Sequence, residues 1–116
     1  MREQIEKLVA EELARANDKF PGFASNHEAY AVLLEEVEEL DEATSIITGA
    51  DIKCLWDCVR DQYFQMSYFK LSKDEIIRKH LLITKANVIE AIKEAIQVAA
   101  MCDKWQQFLD KENNRG

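Results

Sequence analysis

Proline and glycine are almost missing from this sequence: 116 residues hold one Pro and three Gly. Turn-rich β-sandwiches and barrels lean on both, so an all-β architecture is excluded. Histidine is scarce too. Neither His27 nor His80 has a glutamate three residues before it (Ala24 and Ile77 stand there), which excludes the Glu-x-x-His pairs of a di-iron bundle. No Gly-x-Gly-x-x-Gly, Walker sequence or Gly-x-Ser-x-Gly occurs, so Rossmann, P-loop and α/β-hydrolase readings fall away. The longest uncharged apolar run is Ala29 to Leu34, far short of a membrane span of about 20 residues. The opening Met1-Arg2-Glu3-Gln4 lacks the apolar segment of a secretory signal, so a cytoplasmic location is expected. Three cysteines, an odd number, fit free thiols in a reducing compartment. Cys54 and Cys58 share a helix face, but only Cys102, His27 and His80 remain to complete a zinc site; buried thiols are the simpler reading.

The charge has gaps of its own. No Lys or Arg stands between Phe20 and Ile52, a window that holds Glu28, Glu35, Glu36, Glu38, Glu39, Asp41, Glu42 and Asp51. The whole chain carries −7, so its acidity is this one segment in a nearly neutral background. Such a balance disfavours nucleic-acid polymers and anionic membranes. It allows a nucleotide, because a divalent cation can bridge an acidic protein to an acidic ligand. From Lys70 to Lys93 the bias reverses, with Lys70, Lys73, Arg78, Lys79, Lys85 and Lys93 against Asp74, Glu75 and Glu90. Both stretches can also be read as solvated helix faces.

What is abundant is helix-forming. Ile5, Leu8, Val9, Glu12, Leu13 and Ala16 recur at helical spacing and predict a first helix over about 2–18, stopped by Phe20-Pro21-Gly22-Phe23. Ser25 or Asn26 can cap a second helix running to about Thr48, with Gly49 as its stop. Asp51 can cap a third, holding Leu55, Val59, Tyr63, Met66 and Phe69. Ser72-Lys73-Asp74-Glu75 has the form of a capping box and opens a short fourth. A last helix runs from about Thr84 or Asn87 to Asp110. The expectation is a single all-α domain, a compact bundle of about four to five helices.

Two of these helices carry the chemistry. At ~100° per residue, Tyr30, Leu33, Val37, Leu40, Thr44 and Ile47 form one stripe and predict the core seam. Glu28, Glu35, Glu38 and Glu42 lie roughly opposite. Glu36 and Glu39 instead share a line with Ala29, Val32 and Ala43, so two carboxylates interrupt a small-residue face that should pack against another helix. Like charges held there repel unless a cation sits between them. A Glu-x-x-Glu pair is half a site for a hard divalent ion. The last helix is apolar on almost every side, as for a helix sandwiched between others. Within it Glu90, Glu94, Gln97 and Met101 form a line, and a buried Glu94 needs a partner. Lys93 or Lys104 can supply one; so can a cation shared with Glu36 and Glu39.

Tyr30-Ala-Val-Leu-Leu-Glu35-Glu36-Val-Glu38-Glu39-Leu40, followed by Glu94-Ala-Ile-Gln97-Val-Ala-Ala-Met101, resembles the all-α nucleoside triphosphate pyrophosphohydrolases of the MazG-like group. Their motif is Glu-Glu-x-x-Glu on one helix and Glu-x-x-Asp on a later one. It matches Glu35, Glu36, Glu39 and Glu94. The words from Phe23 to Tyr30 resemble small, often phage- or prophage-borne members. The resemblance covers about 1–48 and 84–110, and it departs twice. The aspartate position is Gln97, which offers only a carbonyl oxygen to a metal. Residues 40–93 are longer than is typical, with an insertion at about 50–83 rich in aromatics, Trp56, Tyr63, Phe64, Tyr68 and Phe69 among them.

The resemblance implies magnesium, or manganese, held by Glu36, Glu39 and Glu94 with Gln97, and hydrolysis of a (deoxy)nucleoside triphosphate to monophosphate and pyrophosphate. It implies Glu35 as proton acceptor, Lys93, Lys104 and Arg78 as phosphate contacts, and Trp56 as a surface for the base. With an apolar last helix in so short a chain, a homodimer or homotetramer sharing helices is expected. The alternative is a non-catalytic oligomeric helical protein, a nucleotide or metal sensor or interaction module, that kept the fold after losing the aspartate. A bundle whose acidic helix docks a basic protein is a third reading.

Overall fold

The computed structural model describes residues 1–47, 50–60 and 73–115, and every regular element among them is an α-helix. These are α1 (Arg2–Lys19), α2 (Asn26–Ile47), α3 (Ala50–Arg60) and α4 (Lys73–Arg115). The all-α expectation stands.

The turn between α1 and α2 follows from its residues. Phe20 leaves the helix with φ −139° and ψ 94°, while its N–H still donates to the Ala16 carbonyl at 2.9 Å. Pro21 cannot continue the ladder. Gly22 then turns through φ +67°, a left-handed conformation that suits glycine, and its N–H donates to Asn17 Oδ1 at 3.3 Å. Of the two expected caps Ser25 serves: its Oγ accepts the Glu28 N–H at 3.1 Å. Asp51 lies inside α3, which already starts at Ala50.

α4 corrects the sequence reading. Instead of a short fourth helix and a separate last one, the chain runs as one helix of 43 residues. Between His80 and Asn87 there is no Gly or Pro to interrupt the hydrogen-bond ladder, so nothing ends the first segment. Gly49, Tyr63, Phe64, Met66, Tyr68, Phe69 and the capping Ser72 lie outside the described residues.

The chain divides into two compact units, Met1–Asp41 with Ile92–Gly116, and Glu42–Ala91. The described part of the expected insertion falls in the second, where Cys58, Ile76 and Ala91 are buried among the described residues. The core of the first is Phe23, Ala29, Ala100 and Met101, with Val9, Leu13, Ala16, Val32, Leu33, Trp105 and Phe108 packed against it. Trp105 also donates its indole N–H to Asn26 Oδ1 at 2.9 Å.

The seam of α2 differs from expectation. Ala29 is fully buried at 0% exposure, whereas Tyr30 is 58% and Val37 42% exposed, and Thr44 is exposed as well. The small-residue face packs inward because Ala29 and Ala100, with no bulk beyond Cβ, let helices approach closely; of the heavier stripe Leu33 packs against the core, while Tyr30, Val37 and Thr44 are left outside. The apolar surround of α4 is likewise only partly covered, for Ile89 and Ile92 are exposed. No helix of the described residues is long and apolar enough to cross a membrane.

Candidate metal centre

The small-residue face of α2 that turns inward carries Glu36 and Glu39, one helical turn apart. Glu94 and Gln97 have the same spacing on α4. Folding brings the two pairs together: Glu36, Glu39 and Glu94 each place one carboxylate oxygen within 4.8 Å of the others. Glu36 and Glu94 are half-buried and Glu39 is exposed. Burial, then the charges of Glu39 and Glu94, push the Glu36 carboxyl above its ordinary value of 4.5.

Gln97 completes the ring. With its amide nitrogen facing the carboxylates, as the hydrogen-bond network requires, it donates to Glu94 Oε2 at 2.8 Å and to Glu36 Oε2 at 3.2 Å. The reverse orientation sets oxygen against oxygen.

α1 supplies a third side. The Arg15 guanidinium forks onto the Glu12 carboxylate, Nε donating to Oε2 at 2.9 Å and Nη2 to Oε1. That bond holds the Glu12 carboxyl below its usual range, and the charge of Arg15 also acts on Glu36. Spacing sets Glu12 on the inward line of α1 but gives it no part in the site, and Arg15 is not marked at all, since the two at i,i+3 look like any surface ion pair.

A hollow of about 320 Å³ opens beside the trio, with Glu12, Glu28 and Glu36 as its acidic lining and the neutral Gln97 among them. Arg15, Lys19 and Lys104 bring positive charge to it, and Phe20 and Phe23 give it an aromatic edge. Its volume falls in the range of small-molecule sites. Lys104 is only 5% exposed; its Nζ donates to the Phe20 carbonyl at 2.8 Å and stands 4.7 Å from the centre of the Phe23 ring. Burial lowers its pKa. A larger hollow of about 480 Å³ shares Lys104 and Phe23 but includes none of the three glutamates.

Of the residues singled out in the sequence, Glu36, Glu39, Glu94 and Gln97 converge, and Lys104 lines the adjoining hollow. Glu35 is exposed and outside the trio, although its charge reaches Glu36. Lys93 is exposed, and its charge acts on Glu12. Arg78 and Trp56 belong to the second unit, where both are exposed.

Comparison of the chain with protein-family models, curated proteins and solved structures gives no match. The site itself therefore has to carry the functional reading. Its donors are carboxylate oxygens and one amide, the set a hard divalent cation prefers. Neighbouring ligands of octahedral magnesium, at ~2.1 Å from the ion, stand about 3.0 Å apart and opposite ones about 4.2 Å, so the trio, within 4.8 Å, would draw together to hold one ion.

Proposed function

We propose that this chain is a divalent-cation-dependent nucleoside triphosphate pyrophosphohydrolase of the MazG-like kind, releasing a nucleoside monophosphate and pyrophosphate. The observation that supports it is the convergence of Glu36, Glu39 and Glu94, three like charges with their oxygens within 4.8 Å. Three carboxylates drawn this close repel one another, and a divalent cation shared among them would relieve that repulsion. In this reading Glu36, Glu39 and Glu94, with the side-chain carbonyl of Gln97, would hold magnesium or manganese. The ion supplies Lewis acidity toward the phosphoanhydride and acidifies water.

The chain's own residues do the rest. Glu35 accepts the proton of the water that attacks the α-phosphorus, as the α–β anhydride bond breaks and pyrophosphate leaves. Arg15, Lys19 and Lys104 offer donors to phosphate oxygens from the wall of the hollow, and Phe20 and Phe23 offer an apolar surface. Lys93, exposed on α4 of the same unit, is a further phosphate contact. The exposed stripe of Tyr30, Leu34 and Val37 on α2 supports a homodimer or homotetramer, because a second copy would cover it. A cytoplasmic setting and a partner range without nucleic-acid polymers or membranes complete the reading.

One observation favours the non-catalytic alternative: the Gln97 amide already satisfies oxygens of Glu36 and Glu94 with hydrogen bonds, as in a site that has given up its aspartate. Calorimetric titration with Mg²⁺ and Mn²⁺, with and without a non-hydrolysable triphosphate, separates the two when joined to a pyrophosphate-release assay. Metal binding and turnover of at least one nucleotide are expected. If none of the eight common nucleotides releases pyrophosphate with either metal, the enzymatic reading fails.

A further inference from the structure

The second unit holds a nucleophile and a base that the carboxylate site does not use. Cys54 on α3 and His80 on α4, far apart in sequence, meet with Sγ and Nε2 3.2 Å apart. Such an approach of thiol and imidazole from two different elements is the arrangement that activates cysteine nucleophiles. The other two thiols serve as internal references. Cys58, one turn along α3, is buried, and Cys102 on α4 is exposed, while Cys54 lies between them in exposure.

We propose that Cys54 is an activated thiol, a site of oxidation by hydroperoxides, with His80 as its base. With the ring hydrogen on Nδ1, His80 Nε2 takes the proton of the Cys54 thiol. The thiolate sulfur attacks the terminal oxygen of the hydroperoxide, and the S–O bond forms as the O–O bond breaks. The leaving alkoxide takes the proton back from His80. Sulfur is oxidised by two electrons to the sulfenic acid and the peroxide is reduced to the alcohol. The half-buried setting admits a small oxidant, whereas the buried Cys58 is shielded from it.

Exposure and activation predict opposite orders of reaction, which makes the proposal testable on the unmodified chain. At pH 6.5 an ordinary thiol of pKa ≈ 8.5 is only about 1% ionised. Brief treatment with iodoacetamide at that pH, followed by peptide mass spectrometry, should label Cys54 at least about tenfold faster than the more exposed Cys102. Hydrogen peroxide in the presence of dimedone should leave its adduct on Cys54. His80→Asn should bring Cys54 down to the rate of Cys102 or below it, with Cys58 remaining unlabelled as the sign of an intact fold. Faster labelling of Cys102 in the wild-type chain, a dimedone adduct at Cys102 alone or at no thiol, or an unchanged Cys54 rate in a folded H80N chain would overturn the proposal. If H80N does not fold, the wild-type order decides.

Discussion

Glu36 on α2 and Glu94 on α4, distant in sequence, share a single donor, the side-chain amide of Gln97. One neutral amide thus stands where two half-buried carboxylates face each other. It satisfies one oxygen of each and cancels no charge. Glu39 adds a third carboxylate to the same space. The site therefore stores like-charge repulsion that a divalent cation relieves.

Neutralising a glutamate of the trio should then have opposite effects on stability and on ion binding. E36Q and E94Q each remove repulsion, so the metal-free variants should melt a few degrees above the wild type. They should also lose the rise in melting temperature that Mg²⁺ or Mn²⁺ gives the wild-type chain, and turnover with it. Scanning calorimetry in chelator and in metal reads both. A wild-type melting temperature indifferent to either ion would remove the basis of the metal site.

The raised pKa of Glu36 fixes the sign of a pH effect. Folding raises it, through burial and the charges of Glu39 and Glu94, above the ordinary 4.5. The folded state thus holds this proton more tightly than the unfolded state, and the associated stability is lost as pH rises through the folded pKa. E36Q stays neutral throughout. In chelator, the advantage of E36Q over wild type should be small near pH 4.5 and widen toward neutrality, measured by melts across that range. An advantage that shrinks with rising pH would contradict the geometry.

The helices and the convergence of α2 with α4 were legible because they depend on local spacing and on residues whose burial is costly. Ser25, Pro21 and Gly22 act through backbone chemistry close in sequence, so the end of α1 and the start of α2 follow from them. The seam of α2 was not legible. Periodicity weighs bulk, which favoured Tyr30 and Val37, while the fold rewarded the close approach that Ala29 and Ala100 permit. The continuity of α4 was hidden because a capping signal cannot tell a separate helix from the first turn of a longer one. Arg15 was invisible for another reason: its role depends on α1 lying against α2, which no spacing within α1 encodes.

Arg15 offers a test of the basic side of the hollow. It is exposed and its bonded partner is Glu12, so R15A should change the melting temperature little. If it also meets phosphate, KM for the nucleotide should rise roughly tenfold, the scale of one charge-assisted contact. Steady-state kinetics against Mg²⁺-nucleotide checks this. An unchanged KM would assign Arg15 to pairing with Glu12 alone.

Lys104 has a structural task at the same wall. Its ammonium ties the Phe20 carbonyl and faces the Phe23 ring, so it holds the turn between α1 and α2 against α4. K104M keeps much of the apolar stem and removes both contacts. It should cost about 1 kcal/mol, or about 4 °C in melting temperature. Urea titration measures it; an unchanged midpoint would deny Lys104 this task, and a loss of nucleotide affinity beside the loss of stability would show that the same ammonium also meets phosphate.

Gln97 decides between the two functional readings. Q97D shortens the side chain, withdraws the amide donor from Glu36 and Glu94, and sets a fourth carboxylate beside the trio. Without metal, the added repulsion and the lost hydrogen bonds both act against folding, so Q97D should melt below wild type in chelator. With metal, a fourth anionic oxygen should tighten Mg²⁺ binding by about tenfold or more, because ligand charge count governs affinity for hard cations. Calorimetric titration reads the affinity and pyrophosphate release reads the consequence. Tighter binding together with activity that the wild type lacks marks the natural chain as a site decayed at one position. Tighter binding with no gain over an active wild type means that the amide already serves the reaction, and that Gln97 is the form this site uses.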